Sequence, residues 1–171
     1  MDLRIGSGYD VHLLAKGLPF YIGGVKIEHT KGCIAHSDGD TLIHALCDAL
    51  LGALALGDIG RHFPDTSEEF KGIDSKILLR RTYDLILERG YRLVNADCTI
   101  LLQRPKVASY ILPMRETLAE ILQVHPDRIS IKATTTEGAG LVGREEGIAV
   151  YATVLIAANF TNNANFSLCK E

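Results

Sequence analysis

Residues 37–58 read SDGDTLIHALCDALLGALALGD, and apolar residues in this stretch recur at the three- and four-residue spacing of a helix lying on a core. Ser37 is suited to cap its start, with Asp40 three residues on as a short-armed capping-box partner, and Gly57 is suited to end it. On this Leu- and Ala-rich cylinder Asp40, His44 and Asp48 fall at i, i+4 and i+8, so they form one polar stripe. Upstream, LRIGSGYDVH (3–12) reads as a strand, and Asp10 and His12, two residues apart, leave it on the same face. A carboxylate and two imidazoles are the usual protein contribution to a catalytic zinc, with water or substrate in the fourth position. Asp10, His12 and His44 are therefore the candidate zinc ligands. A D-x-H pair alone arises often by chance; the strand and helix together give it weight.

The rest of the chain alternates the same two patterns. PFYIGGVKI reads as two short strands turning at Gly23 and Gly24, and SKILLRRTYDLILERG as an amphipathic helix ending at Gly90. DIGRHFPDTSEEFKGID between them is a polar loop. RLVNADCTILLQ is a β-branched strand stopped by Pro105, and ILPMRETLAEILQ a helix with Pro113 in its first turn. RISIKATTT and GIAVYATVLIA complete the strands. Early hairpins and later crossovers predict an α+β fold: one domain over residues 1–158, a mixed sheet with its helices on one face, followed by a polar, frayed tail at 159–171. The uncovered sheet face would be apolar enough to call for an oligomer.

Composition narrows the partners. A chain of 171 residues supports one full-sized core. Its net charge of −3 lacks the basic excess of a dedicated nucleic-acid binder. No apolar run approaches a membrane span, and no signal-peptide pattern opens the chain. Cys33, Cys47, Cys98 and Cys169 are scattered with no C-x-x-C pair, a pattern of reduced thiols in a cytoplasmic protein.

Three further stretches carry chemistry. TTTEGAGLVGREEG (134–147) contains a G-x-G-x-x-G at Gly138, Gly140 and Gly143, but it leads into a strand instead of a helix, so a dinucleotide site is excluded. Thr134, Thr135 and Thr136 offer hydroxyls, and Glu137 a hard oxygen suited to magnesium or manganese; a threonine run also simply suits a strand. His36, Ser37 and Asp38 have the letters of a hydrolase triad, yet neighbours in sequence cannot converge as one. His36 instead stands where an anion could meet a helix N-terminus. Asp58 beside Gly60 could accept from a ribose diol, and Lys106 follows a proline-fixed bend whose exposed amides could meet a base edge. An ordinary turn and a solvated lysine are the plainer readings of these two.

Together the blocks GYDVH, GGVKI, AHSDGDTLIHALCDALLGALALGDIGRHFPDT, FKGIDS, LQRPKVA, KATTTEGAG and GREEGIA, in order across residues 3 to 157, resemble the 2-C-methyl-D-erythritol 2,4-cyclodiphosphate synthases. By position, the resemblance implies zinc on Asp10, His12 and His44, and transition-state stabilisation by His36 and Thr135. It implies a methylerythritol phosphate pocket from His36, Ser37, Phe63, Pro64, Asp65, Thr66 and Ser67, and ribose contacts from Asp58, Ile59 and Gly60. A cytidine pocket would come from Leu102, Gln103, Arg104, Pro105, Lys106, Val107 and Ala108 with Ala133, Thr134, Thr135 and Thr136. Glu137 corresponds to the ligand of a second cation, Mg2+ or Mn2+, while Leu141 and Arg144 occupy further substrate-contact positions. Departures occur at Leu141 and Val142, where phenylalanine and threonine are common, and at Tyr9, which replaces a frequent phenylalanine.

The resemblance further implies a cytoplasmic homotrimer, sheets toward the three-fold axis, with each active site shared by two subunits and a cytidine diphosphate small molecule as substrate. The implied reaction is a metal-assisted intramolecular phosphoryl transfer that releases CMP, and it requires no activated Ser or Cys. Two rival classes remain open on the residues alone. Two histidines and a carboxylate are also the facial triad of non-haem iron(II) oxygenases, although helices at 39–56 and 74–89 would not suit their all-β frame. A nucleotide-binding or metal-storage module without turnover is the other. Fusions within the family also imply a cytidylyltransferase as a possible working partner.

Overall fold

Gly6 and Gly8 allow a helix to lie directly on a strand. In the computed structural model, which describes residues 2–158, a Cβ at Gly6 would stand 1.9 Å from the Ala49 carbonyl oxygen, and one at Gly8 2.0 Å from that of Ala45. Only glycine permits this approach. The strand is β1 (Leu3–Lys16) and the helix α1 (Thr41–Ala53). Because Gly6 meets Ala49 and Gly8 meets Ala45, strand and helix run in opposite directions. The start of α1 therefore comes to the level of Asp10 and His12.

After β1 come the short strands β2 (Tyr21–Ile22), β3 (Val25–Lys26) and β4 (Lys31–Cys33). Beyond α1 lie α2 (Ile59–His62), α3 (Ser75–Glu88), β5 (Tyr91–Leu101), α4 (Ile111–Ile121), β6 (Ile129–Thr134), α5 (Gly140–Gly143) and β7 (Gly147–Ala158). The main sheet has the order β4-β1-β7-β5-β6. Only β5 and β6 are parallel, joined by the crossover through α4; the other neighbours are antiparallel. β2 and β3 form the expected separate hairpin. The mixed α+β sheet predicted from the sequence is thus present.

One face of the sheet packs on the helices. Val150, Val154 and Ile156 of β7 and Cys98 and Ile100 of β5 are buried with Leu42, Leu46 and Leu50 of α1 and Leu79, Tyr83 and Ile86 of α3. Burying each such side chain contributes about 1.5–3 kcal/mol. Tyr83 keeps its polar end satisfied by accepting from the Leu93 N–H at 3.2 Å. The other face leaves Leu3, Ile5, Tyr9, Val11, Leu13 and Tyr151 exposed, Ile5 at 70%. This is the uncovered apolar face that the strand patterns predict.

Three local expectations are corrected. Asp40, not Ser37, caps α1: its carboxylate accepts from Ile43 N–H at 3.0 Å. It also accepts from the amides of Gly23 and Gly24 at 2.9 and 2.6 Å, which ties the hairpin to the helix. Gly57 does not end the helix. Ala55, at φ 54, makes the left-handed turn, with Leu56 N–H to Leu51 O and Ala55 N–H to Gly52 O completing a Schellman motif. The polar loop at 58–74 holds α2 and a 3-10 turn at Glu68–Phe70. The expected tail at 159–171, with Cys169, lies outside the described residues.

Candidate metal centre and its cavity

Alternation along β1 puts Asp10 and His12 on the face of Gly6 and Gly8, toward α1, and α1 presents His44 to them. Asp10 Oδ2 stands 3.0 Å from His12 Nδ1 and 3.2 Å from His44 Nδ1. One ligand atom from each residue lies within 4.8 Å of the others, the one group among the described residues that could hold a metal ion. Burial opposes charge on Asp10, but the His12 and His44 imidazoles outweigh it and hold its carboxyl well below the usual carboxylate range. Burial likewise works against a charged His44, yet Asp10 beside it raises its pKa above the ordinary imidazole value. Two nitrogens and an ionised oxygen thus converge where positive charge is favoured. His12 Nδ1 is buried there 3.0 Å from Asp10 Oδ2 without the alignment of a hydrogen bond to it. An orphaned nitrogen facing a carboxylate fits a cation as third partner.

Beside this trio lies a cavity of about 330 Å³, lined in part by His12, His36, Ser37, His44, Ile59, Gly60, Phe63 and Asp65. These come from the strand, the pre-helix loop, α1 and the 58–67 segment, all singled out in the sequence. His36 Nε2 is 3.0 Å from the Ser67 carbonyl oxygen. A carbonyl only accepts, so Nε2 carries the hydrogen and Nδ1 is left for another partner. Asp58 is the N-cap of α2, its Oδ1 accepting from Arg61 N–H at 2.9 Å. Asp48 on α1 accepts from the Ile59 N–H at 2.7 Å, which anchors that turn. Pro64 accepts from Ser67 N–H, and Thr66 is exposed. Ala35, Phe70, Ile73 and Leu78 also line the cavity; their side chains carry no chemical signal that sequence reading could use.

The remaining predicted residues sit elsewhere. The 102–108 segment follows the end of β5 and residues 133–137 span the end of β6, joined by Leu102 N–H to Thr134 O at 3.0 Å. β1 and β5 both run antiparallel to β7, so these loops share the sheet end that carries His12. From β1, two interstrand gaps lead to β5 and three to β6, roughly 10 and 14 Å at about 4.8 Å each. Among the described residues, none from 102–108 or 133–137 lines the cavity, nor do Leu141 and Arg144. Within their own loops Thr135 Oγ1 donates to Glu137 Oε1 at 2.7 Å, and Thr136 Oγ1 to Ala139 O at 2.6 Å. Arg144 pairs with Glu146 at 2.9 Å and Arg104 with Glu145 at 3.2 Å. Lys106 is exposed and Val107 buried. Leu141 lies over the start of β7, its Cδ2 2.6 Å from where a Cβ on Gly147 would be. The glycines at 138–143 lead through one turn, α5, into β7, consistent with the exclusion of a dinucleotide fold.

Sequence reading missed two groups behind the metal trio, Ser75 and Asp38. His44 Nε2 is 2.9 Å from Ser75 Oγ, and Asp38 bonds Ser75. Ser75 opens a helix in the sequence and belongs to no chemical motif. Burial pushes the Cys33, Cys47 and Cys98 thiols up to about 12, so none is a ready nucleophile.

A mixed α+β sheet with a two-histidine, one-carboxylate cation site beside a cavity defines a class, and comparison with known proteins places the chain within it. Residues 3–157 match the YgbB family. The 2-C-methyl-D-erythritol 2,4-cyclodiphosphate synthase of Acinetobacter baumannii (strain SDF) is 60% identical over 156 residues, 91% of this chain and 98% of that one. A solved 2C-methyl-D-erythritol-2,4-cyclodiphosphate synthase in a CDP-bound form superposes with a TM-score of 0.84 at 38% identity, over 90% of this chain and all of that one. The bifunctional IspDF of Campylobacter jejuni gives a TM-score of 0.87 at 43% identity, with 91% of this chain matching 42% of that longer protein. The chain belongs to the YgbB family, that of these cyclodiphosphate synthases. No helix among the described residues is long and apolar enough to cross a membrane.

Proposed function

We propose that this protein converts 4-diphosphocytidyl-2-C-methyl-D-erythritol 2-phosphate into 2-C-methyl-D-erythritol 2,4-cyclodiphosphate and CMP, a phosphorus–oxygen lyase step of non-mevalonate isoprenoid synthesis carried out in the cytoplasm. An oxygen of the substrate's 2-phosphate attacks the β-phosphorus, the bond from that phosphorus to the CMP oxygen breaks, and an eight-membered ring closes. The nucleophile belongs to the substrate, so the protein's task is to position two phosphoryl groups and neutralise charge. The observation that carries this reading is the convergence of Asp10, His12 and His44 beside a cavity lined by His36, Ser37, Phe63 and Asp65, in a chain 60% identical to a synthase of that name.

Asp10, His12 and His44 would hold zinc, which when bound supplies Lewis-acid polarisation of a phosphoryl oxygen. His36, anchored through Nε2 to Ser67, is placed to stabilise the forming ring phosphate, with Thr135 as its counterpart in the other wall. Ser37 and residues 63–67 form the methylerythritol phosphate pocket, and Asp58, Ile59 and Gly60 the ribose contact. Residues 102–108 and 133–136 receive cytidine, with Leu141 and Arg144 at its margin. Glu137 offers a single hard oxygen, a number that suits Mg2+ or Mn2+ completed by substrate phosphates and water.

Within one chain these two sets lie at the same end of the sheet but roughly 10–14 Å apart across it. That separation supports a homotrimer in which the metal wall of one subunit meets the cytidine loops of the next. The exposed row of Leu3, Ile5, Tyr9, Val11, Leu13 and Tyr151 supports burial of the sheets toward the three-fold axis. Residues 1–158 act as the folded unit in this reading.

A phosphorus NMR assay with the substrate and magnesium tests it. The wild type is expected to yield cyclodiphosphate and CMP. His44→Ala is expected to lose zinc and at least about 1,000-fold in rate, as removal of one preorganised electrostatic contact does at its upper end. CDP binding without turnover by a folded, zinc-loaded wild type would refute the assignment and leave a binding module.

A further inference from the structure

His44 presents its two nitrogens to different surroundings. Nδ1 faces Asp10 Oδ2 at 3.2 Å, while Nε2 faces Ser75 Oγ at 2.9 Å and Ser37 Oγ at 3.2 Å. Ser75, the first residue of α3, is completely buried. Its hydroxyl donates in a short bond to Asp38 Oδ1, and its amide donates to Asp38 Oδ2 at 3.0 Å. The same carboxylate accepts from Asp40 N–H at 3.2 Å. Asp38 thus clamps the start of α3 against the loop that leads into α1.

A serine hydroxyl has one hydrogen, and here Asp38 takes it. Toward His44, Ser75 Oγ can only accept, so Nε2 must carry a hydrogen. Asp10 Oδ2 at Nδ1 also only accepts, so without a cation the ring carries a hydrogen on each nitrogen, and a cation takes the place of the one on Nδ1. A metal-binding histidine is ordinarily fixed by what its second nitrogen donates to, and that partner is usually a carboxylate, carbonyl or water. In this protein a buried serine is interposed between carboxylate and imidazole.

We propose that Ser75, polarised by Asp38, is a positioning residue that keeps a hydrogen on His44 Nε2, so that Nδ1 is the nitrogen given up to a cation, and so sets the affinity of the cation site. The inference rests on the assignment of Asp10, His12 and His44 as that site. Substitution of Asp38 by asparagine sharpens it. An amide NH2 facing Ser75 Oγ would turn the serine hydrogen toward His44 Nε2, leaving the ring hydrogen on Nδ1, where it blocks the ligand position.

The test is zinc affinity by competition with a chromogenic chelator, together with 15N NMR of the histidine rings in the metal-free full chain, which reports whether Nε2 carries a hydrogen. Wild type is expected to bind zinc and to show His44 hydrogenated on Nε2. Ser75→Ala and Asp38→Asn are each expected to weaken zinc binding roughly 10- to 100-fold. Asp38→Asn is also expected to shift the His44 signals toward the form hydrogenated on Nδ1 alone, a change that loosened packing would not produce. If wild type binds no zinc, the metal-site assignment itself fails. If wild type binds zinc, and Ser75→Ala and Asp38→Asn bind it equally well with the Nε2 hydrogen unchanged, the relay is wrong. If Ser37→Ala alone removes the Nε2 hydrogen, the role belongs to Ser37 and the assignment to Ser75 is overturned.

Discussion

The wall built by β1, α1 and the start of α3 differs from the loops after β5 and β6 in where its hydrogen bonds go. In the first, carboxylates out of full solvent contact join segments distant in sequence: buried Asp40 ties α1 to the β2–β3 hairpin, and half-buried Asp38 ties the loop before α1 to α3. In the second, exposed groups bond within their own loop or to the one beside it, as Thr135 does with Glu137, Arg144 with Glu146 and Arg104 with Glu145. A chain can complete the first wall alone. In the proposed function the second is completed by the substrate and another subunit.

The largest expected effect comes from separating the two elements that create the first wall. In Gly8→Ala the new methyl carbon would lie 2.0 Å from a backbone oxygen of α1, and backbone cannot rotate away as a side chain can. The helix must lift from β1, taking His44 away from Asp10. We expect a loss of about 3 kcal/mol or more by urea denaturation and loss of zinc from whatever remains folded. Gly138→Ala is the contrast: its φ is 82 with open space around the site, so only backbone strain of about 1 kcal/mol is added. Equal losses in the two variants would show that the close approach is not what holds the first wall.

The next effect asks whether the two walls belong to one chain's site. In the proposed homotrimer His44→Ala removes an assigned metal ligand and Glu137→Ala the loop carboxylate, so each variant alone should be inactive. In mixed trimers at equal amounts, a site shared between neighbours has each wall intact half the time. About a quarter of the wild-type activity should return. A site contained in one chain would recover nothing, since every chain carries a defect. Co-expression of the two variants, followed by the CMP-release assay, separates these outcomes.

The same contrast explains what could be read from sequence. The metal trio was legible because strand and helix periods dictate which side chains share a face, and Asp10 and His12 obey a period of two. The glycines of β1 stood in the sequence too, but their meaning appears only once α1 lies on them. Ser75 was invisible: its role depends on a three-dimensional encounter with residues 31 and 37 positions earlier. The cap of α1 was misplaced because Ser37 and Asp40 both suit it, and only the hairpin amides of Gly23 and Gly24 decide for Asp40. The loop wall was named through family resemblance, since exposed threonines and one glutamate carry little signal of their own.

Asp48 offers the smallest and most discriminating test, because it works at the boundary between the walls and the turn at 58–60 proposed to meet the ribose. It lies on α1, half-buried, and its Oδ1 accepts from Ile59 N–H at 2.7 Å. That bond fixes the first residue of α2, and so the direction of Asp58 and Gly60, without placing Asp48 among the cavity-lining residues. Burial raises its pKa while the Ile59 amide pulls the other way, so what the turn needs from it is an oxygen acceptor. Asp48→Ala removes one hydrogen bond worth about 1 kcal/mol, which corresponds to a roughly fivefold rise in KM if the turn contacts the ribose equally in ground and transition states. Asp48→Asn keeps an acceptor and should restore most of the loss. A fall in kcat with KM unchanged would instead mean that this turn steers the reacting phosphates, and the 58–60 segment would then belong functionally with the metal wall.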